Sequence, residues 1–332
     1  MNLVPDFEFQ RVVVAPWTTE LSNYGVMAAM TFLVAAACGL VGNYLILRRM
    51  ALVGDAISHS VLPGIVVAFL ATGSRGTIPM FLGAVTAAIL TTLLIEGIHR
   101  HSRLKQDAAI GIAFSSLFAL GVILISLYAD KVDLDQDCVL NGELPLIPLA
   151  PSVTWNGWVL GPPPLVRMGV VLLLTGLFIV LFYKELLIGS FDPGLAAALG
   201  LRPGWIQNGL MVWLSVVVVS AFEAVGAILV IAMLILPGAT AALLTDRLRS
   251  RLGWSLVHSA LSAVLGMHLS VWLDCSPSGA AVVAGSGLFA VAWLLGPHDG
   301  VLPRRWARRR TLDQGICTTE EEHYPGSGRV IR

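Results

Sequence analysis

A carboxylate and an imidazole stand four residues apart, Asp55 and His59, within an otherwise apolar run, Ala51-Leu-Val-Gly-Asp-Ala-Ile-Ser-His-Ser-Val-Leu-Pro-Gly64. On a helix such residues share one face with about 6 Å of rise between them, so both can reach a single cation. An imidazole nitrogen with a carboxylate oxygen suits borderline divalent ions such as Zn(II), Fe(II) or Mn(II) better than Na⁺ or K⁺. The bland reading is a buried ion pair that joins two helices. Against it, no Lys or Arg lies within the run to partner Asp55, Gly54 and Gly64 allow close helix approach, and Pro63 interrupts the backbone ladder. Ser58 and Ser60 are expected to add oxygens nearby.

The elements that must hold this pair are membrane helices. The 332 residues are 56% hydrophobic and 13% charged, with a mean hydropathy of +0.80, against about 25% charged for soluble domains. An ionisable group near a bilayer centre costs about 2.5–3.5 kcal/mol on insertion scales, so one that is kept there handles an ion or a proton. Apolar runs long enough to span fall near 22–47, 77–97, 108–128, 165–187, 254–273 and 279–297. Segment 51–71, with Asp55, His59, Pro63 and Gly64, reads as a broken or protein-surrounded helix rather than a lipid-facing one. Segment 205–243 reads as two short spans meeting near Ser220 to Glu223. The fold class is therefore all-α, a polytopic bundle of eight or nine spans. In the eight-span version 51–71 is re-entrant.

Basic residues set orientation. Arg48/Arg49, Arg100/Arg103/Lys105, Lys184, Arg202, Arg247/Arg249/Arg251 and Arg304 to Arg310 mark the inside, whereas Asp130 to Pro164 and Asp274 to Pro277 are poor in Lys and Arg. Nine spans with the N-terminus outside and the C-terminus inside satisfy all of these. Residues 1–21 read as an extracytoplasmic tail, 22–302 as the transmembrane domain and 303–332 as a basic cytoplasmic tail contacting anionic lipid.

The inner loop Lys184 to Pro203 contains Phe191-Asp-Pro-Gly-Leu-Ala-Ala-Ala-Leu-Gly200. Asp192 can cap, Pro193 suits the first turn and Gly200 can end a short helix on the cytoplasmic face. Such a rigid element suits docking by a soluble motor. Glu223 is a further candidate cation contact. Glu96 and His99 read as interfacial partners of Arg100, and His258 and His268 as packed or interfacial histidines. Cys138 and Cys275 both fall outside, where a disulfide is chemically permitted.

Several classes are excluded. Zero net charge gives no basis for a nucleic-acid partner. With no G-x-x-x-x-G-K-[ST], the chain has no phosphate cradle of that kind, so any ATP is hydrolysed by another subunit. H-E-x-x-H and G-x-S-x-G are also missing, and an enzyme is not indicated.

The run from Tyr44 to Gly64 resembles the signature of the zinc/manganese/iron ABC importer permeases of bacteria. Four more blocks agree in order: Asp107 to Ser116, Asp135 to Glu143, Phe191 to Gly200 and Glu223 to Ala241. The resemblance implies a multi-pass protein of the cytoplasmic (inner) membrane with no permanently bound cofactor, carrying Mn, Zn or Fe inward by alternating access, and favours the manganese/iron/zinc branch. It implies cytoplasmic ABC ATPase subunits, an extracytoplasmic metal-binding protein, and a second copy of the chain or a paralogous permease. Carried over, Asp55 and His59 contact the metal, while Phe191, Asp192, Pro193, Gly194, Ala197 and Gly200 take the ATPase-coupling role. Asn141, where relatives often have an aromatic residue, and the tail after Pro303 depart from the pattern. The rival is a proton- or sodium-coupled secondary metal transporter, which has no need of the 190–204 loop.

Overall fold

The structure, a computed structural model, describes residues 5–73, 77–128, 144–155, 158–297 and 300–303. Helical turns at Gln10–Val14 and Ala15–Thr18 precede the long helix α1 (Leu21–Leu47). Next come α2 (Val53–Ser60), α3 (Leu62–Thr72), α4 (Thr77–His101) and α5 (Gln106–Tyr128). A 3-10 helix (Leu144–Leu149) and a small antiparallel hairpin, β1 (Val153–Trp155) with β2 (Trp158–Gly161), lead to α6 (Pro163–Leu181). Then follow α7 (Tyr183–Phe191), α8 (Pro193–Ala198), α9 (Pro203–Val225), α10 (Ala227–Leu244), α11 (Leu248–Leu273) and α12 (Pro277–Leu295). With α2 and α3 counted as one segment, Val53–Thr72, nine helices among the described residues are long and apolar enough to cross a membrane. These are the nine apolar segments expected from the sequence.

The central element is α1, about 40 Å long at 1.5 Å per residue. Met30, Val34, Ala35, Ala37, Cys38, Val41 and Tyr44 are buried on every side of it, the pattern of a helix surrounded by protein. It packs on α10, α11 and α6. Small residues set the spacing: a Cβ on Gly42 would run into the Leu234 carbonyl of α10, and one on Gly39 would lie 2.9 Å from the Pro237 Cβ. Helices α3, α4 and α5 form a second group, with α2 held between α5, α4 and α9. Leu173, Leu177, Val180 and Leu181 of α6 are exposed. Such a stripe is at home against lipid tails.

The break expected in 51–71 falls between α2 and α3 at Val61. Its carbonyl accepts from the Gly64 and Ile65 amides, with Pro63 in the first turn of α3. The break expected near Ser220 to Glu223 lies later, at Gly226. Ser220 stays helical because its hydroxyl donates back to the Val216 carbonyl, whereas Gly226 takes φ 79°, ψ 167°, open essentially to glycine alone. The apolar run 165–187 is also divided, since α6 ends at Leu181 and Tyr183 opens a separate helix.

Residues expected to be a tail are in part docked. The Trp272 indole donates to the Pro5 carbonyl and its ring meets Phe7 edge-on. The Trp17 indole N–H donates to His268 Nε2 at 3.3 Å, leaving Nδ1 as the atom that donates to the Val12 carbonyl at 2.8 Å. His268 thus latches residues 12–17 onto α11. His258 is a packed histidine, 3% exposed, with Nε2 against the Gly285 carbonyl.

Candidate metal path and coupling arm

Helix α2 is only eight residues long, and it carries both chemical candidates. Its start is pressed onto α10, where a Cβ on Gly54 would collide with the Leu234 side chain. Val53, Ala56 and Ile57 are buried on that inner side. Asp55 and His59 lie on the other face, with side chains 46% and 35% exposed. His59 Nε2 stands 3.5 Å from Asp55 Oδ1, longer than a hydrogen bond between such groups. The two are neighbours without being a tight ion pair, so their lone pairs are available to a shared cation. The His59 ring is held between Phe114 and Phe118, one turn apart on α5, at centroid distances of 5.4 and 5.9 Å. Those aromatic contacts fix the ring plane, a role usually filled by a carboxylate or carbonyl behind a ligating histidine.

Ser58 and Ser60 do not join the pair. Both are buried; Ser58 donates to the Gly54 carbonyl and Ser60 to the Ile57 carbonyl, and Ser60 also accepts from Thr91 on α4 at 2.7 Å. Each hydroxyl is thus used within the bundle, and burial keeps both from the half-exposed surface of Asp55 and His59. Among the described residues no three His, Cys, Asp or Glu side chains gather around one point. Among the described residues, Asp55 and His59 are thus a pair without a third such side chain beside them. Glu223 lies in the last turn of α9, three residues before the Gly226 break; its side chain is outside the described residues. So are Cys138, Asn141 and the basic tail beyond Pro303, while Cys275 is exposed.

The segment 191–200 folds by its own local rules. Asp192 is the N-cap of α8, its carboxylate accepting from the Leu195 amide at 2.9 Å, with Pro193 at the first helical position. At the other end Gly200, at φ 81°, donates to Ala197 while Leu201 donates to Ala196, the paired bonds of a glycine C-terminal cap. Gly194 and Ala197 lie inside α8. Phe191 belongs to the preceding helix α7, as its exposed last residue. Helices α7 and α8 are thus joined directly at Asp192, and α8 occupies the stretch between the Asp192 cap and Gly200 that the sequence indicates.

Next to this arm, α1 ends in the same paired-bond cap. Arg49 donates to Ile46 and Met50 to Leu45, with Arg49 at φ 58° where glycine is usual, a backbone placement costing about 1–3 kcal/mol. The cap aims the Arg48 side chain at α7, where Nε donates to the Ser190 hydroxyl at 3.1 Å. Burial pushes the Arg48 guanidinium below its usual pKa, an effect the nearby Glu96 partly offsets. Glu96 is held by Arg100 and by Gln207 of α9 at 2.7 Å. Leu47, Arg48, Arg49, Glu96, Arg100, Ser190 and Gln207 are among the residues lining a polar cavity of about 510 Å³ at this end of the bundle.

Known proteins resemble this chain over most of its length. The chain matches the ABC 3 transport family over residues 23–296. It is 45% identical to the manganese transport system membrane protein MntD of Bacillus subtilis over 273 residues, 82% of this chain and 92% of that one. It is 44% identical to the zinc transport system membrane protein TroD of Treponema pallidum, over 86% of this chain and 77% of that one. Among solved structures, PsaBC from Streptococcus pneumoniae in complex with Fab superposes with a TM-score of 0.70 at 30% identity, covering 91% of this chain and 100% of that one. With the family match spanning all nine membrane helices, the chain belongs to the ABC 3 transport family of membrane permeases.

Proposed function

We propose that this chain is the permease subunit of an ATP-driven importer that moves a divalent transition metal, Mn, Zn or Fe, into the cell, with Asp55 and His59 touching the ion on its way. The observation that carries the site is a half-exposed carboxylate and imidazole on one face of a short helix within a membrane segment. Lipid does not tolerate an ionised carboxylate on such a face. A second permease copy covering α2 would remove both from lipid and bring two Asp and two His together, a four-ligand set suited to these metals. The relatives named for manganese and zinc transport accord with that class of cargo.

Energy enters from outside the chain, through cytoplasmic ATPases seated on α7 and α8. An extracytoplasmic metal-binding protein delivers the ion to the opposite side. The basic residues at the α1–α2 turn, the end of α4 and the starts of α9 and α11 support a cytoplasmic position for these ends, and with it an N-terminus outside and a C-terminus inside. ATP-driven closure of the motor pair shifts the arms as rigid bodies, and α2 exchanges outer for inner exposure. Residues 22–302 are the transport unit, and the basic tail lies on the inner lipid surface.

The test is radiolabelled metal uptake into proteoliposomes holding the permease with its ATPase and binding protein. Uptake that needs both the ATPase and ATP is expected. Uptake driven by a proton or sodium gradient without the ATPase overturns the importer and favours the secondary carrier.

A further inference from the structure

We propose that Arg48 is a positioning residue that ties the coupling arm to the turn carrying the metal-site helix, through its hydrogen bond to Ser190; this rests on the importer reading above. Ser190 is the next-to-last residue of α7, two before the Asp192 cap of α8. A rigid displacement of α8 therefore moves Ser190. Arg48 closes α1 and is separated from Asp55 by only the capped turn and the first residues of α2. That turn is stiff, held by the Arg49–Ile46 and Met50–Leu45 bonds and by Met50 buried against Gln207. Motion of the arm thus reaches Asp55 and His59 through one side chain and one short turn.

Arg48 is poorly suited to a purely stabilising role. Its guanidinium packs against the Gly189 backbone, where a Cβ would lie 3.6 Å from Nη2. Nη2 is buried and has no hydrogen-bond partner among the described residues. The carboxylate in the neighbourhood, Glu96, is already held by Arg100 and Gln207. A half-buried cation with one hydrogen bond to a neutral hydroxyl and a buried Nη2 without a partner adds less stability than an apolar side chain of the same length. What the guanidinium adds is a directional link across two elements.

The experiment uses the assembled permease, ATPase and binding protein in proteoliposomes, and measures ATP hydrolysed and radiolabelled Mn²⁺ taken up in the same vesicles. Arg48→Met, Arg48→Lys and Ser190→Ala are expected to assemble and hydrolyse ATP, while Mn²⁺ moved per ATP falls about fivefold or more, the scale of a coupling free energy between sites. The Arg48→Met/Ser190→Ala double variant should fall no further than either single one, because all remove the same link. Should Arg48→Met fail to assemble, Ser190→Ala, which deletes one hydroxyl, still reads the link. A wild-type Mn²⁺/ATP ratio in Ser190→Ala, proportionate loss of hydrolysis and uptake, or multiplicative losses in the double variant each overturn the proposal. If the wild-type assembly itself shows no ATP-driven uptake, the importer reading falls and takes this one with it.

Discussion

Replacing Gly64 by alanine tests how closely the helix carrying Asp55 and His59 depends on the packing behind it. Helices α3 and α4 cross where Gly64 meets Gly83. A Cβ on residue 64 would strike the Gly83 carbonyl and lie 2.5 Å from the Ala87 Cβ, and one on residue 83 would lie 2.5 Å from the Ala68 Cβ. Against ordinary carbon contacts, the helices have to part by about 1 Å. Neither obstacle can rotate aside, since one is backbone and the other a methyl group on a helix. Overpacking of this kind costs about 1–3 kcal/mol. The displacement passes directly to the site, because α3 continues from α2 across Val61 and Pro63, and Pro63 lies under Gly121 of α5. Shifting that crossing moves His59 relative to Phe114 and Phe118.

Gly64→Ala should therefore lower the melting temperature in detergent by several degrees and cut ATP-driven Mn²⁺ uptake about tenfold or more, the order expected when a ligand is misplaced by 1 Å. Gly176→Ala is the control, since nothing lies within 4 Å of a Cβ there and alanine is the better helix former. A Gly64→Ala variant that melts and transports like wild type would refute the packing argument.

Asp192→Ala removes the cap of α8 at a cost of about 1 kcal/mol of local stability; ATP-driven uptake should fall with insertion unchanged, and wild-type uptake would show that the cap is dispensable. His268→Ala removes the acceptor for Trp17 and the donor to Val12. Limited proteolysis should then cut within residues 5–18 faster, with uptake little changed. Glu96→Leu leaves the exposed Arg100 and the half-buried Gln207 without their shared acceptor; a small drop in melting temperature is expected, following the about 0.5–1.5 kcal/mol net worth of a hydrogen bond.

Much of the fold was legible because bilayer thickness imposes a length on apolar runs, and α1, α4, α5, α11 and α12 announce themselves that way. Local chemistry was legible too: Asp192, Pro193 and Gly200 bound α8 because capping depends on near neighbours. Boundaries inside continuous apolar sequence were not. Ser220 resembles a breaker, yet it satisfies itself within the helix, and the break waits for Gly226. Contacts between distant elements left no mark on spacing. Phe114 and Phe118 look like any lipid-facing pair until the fold sets His59 between them, and nothing around Arg48 names Ser190, 142 residues away. Ser58 and Ser60, expected to add oxygens near the pair, are buried and bonded within the bundle, which spacing alone does not show.

The central claim is that Asp55 and His59 contact the transported ion, with two chains closing one site. Pulsed electron paramagnetic resonance of Mn²⁺ held by the purified permease measures this directly. The account predicts one bound Mn²⁺ per two chains with histidine nitrogen coupling, the coupling lost in His59→Ala and the binding weakened in Asp55→Ala. Mn²⁺ bound with unchanged stoichiometry and unchanged nitrogen coupling in His59→Ala would contradict it.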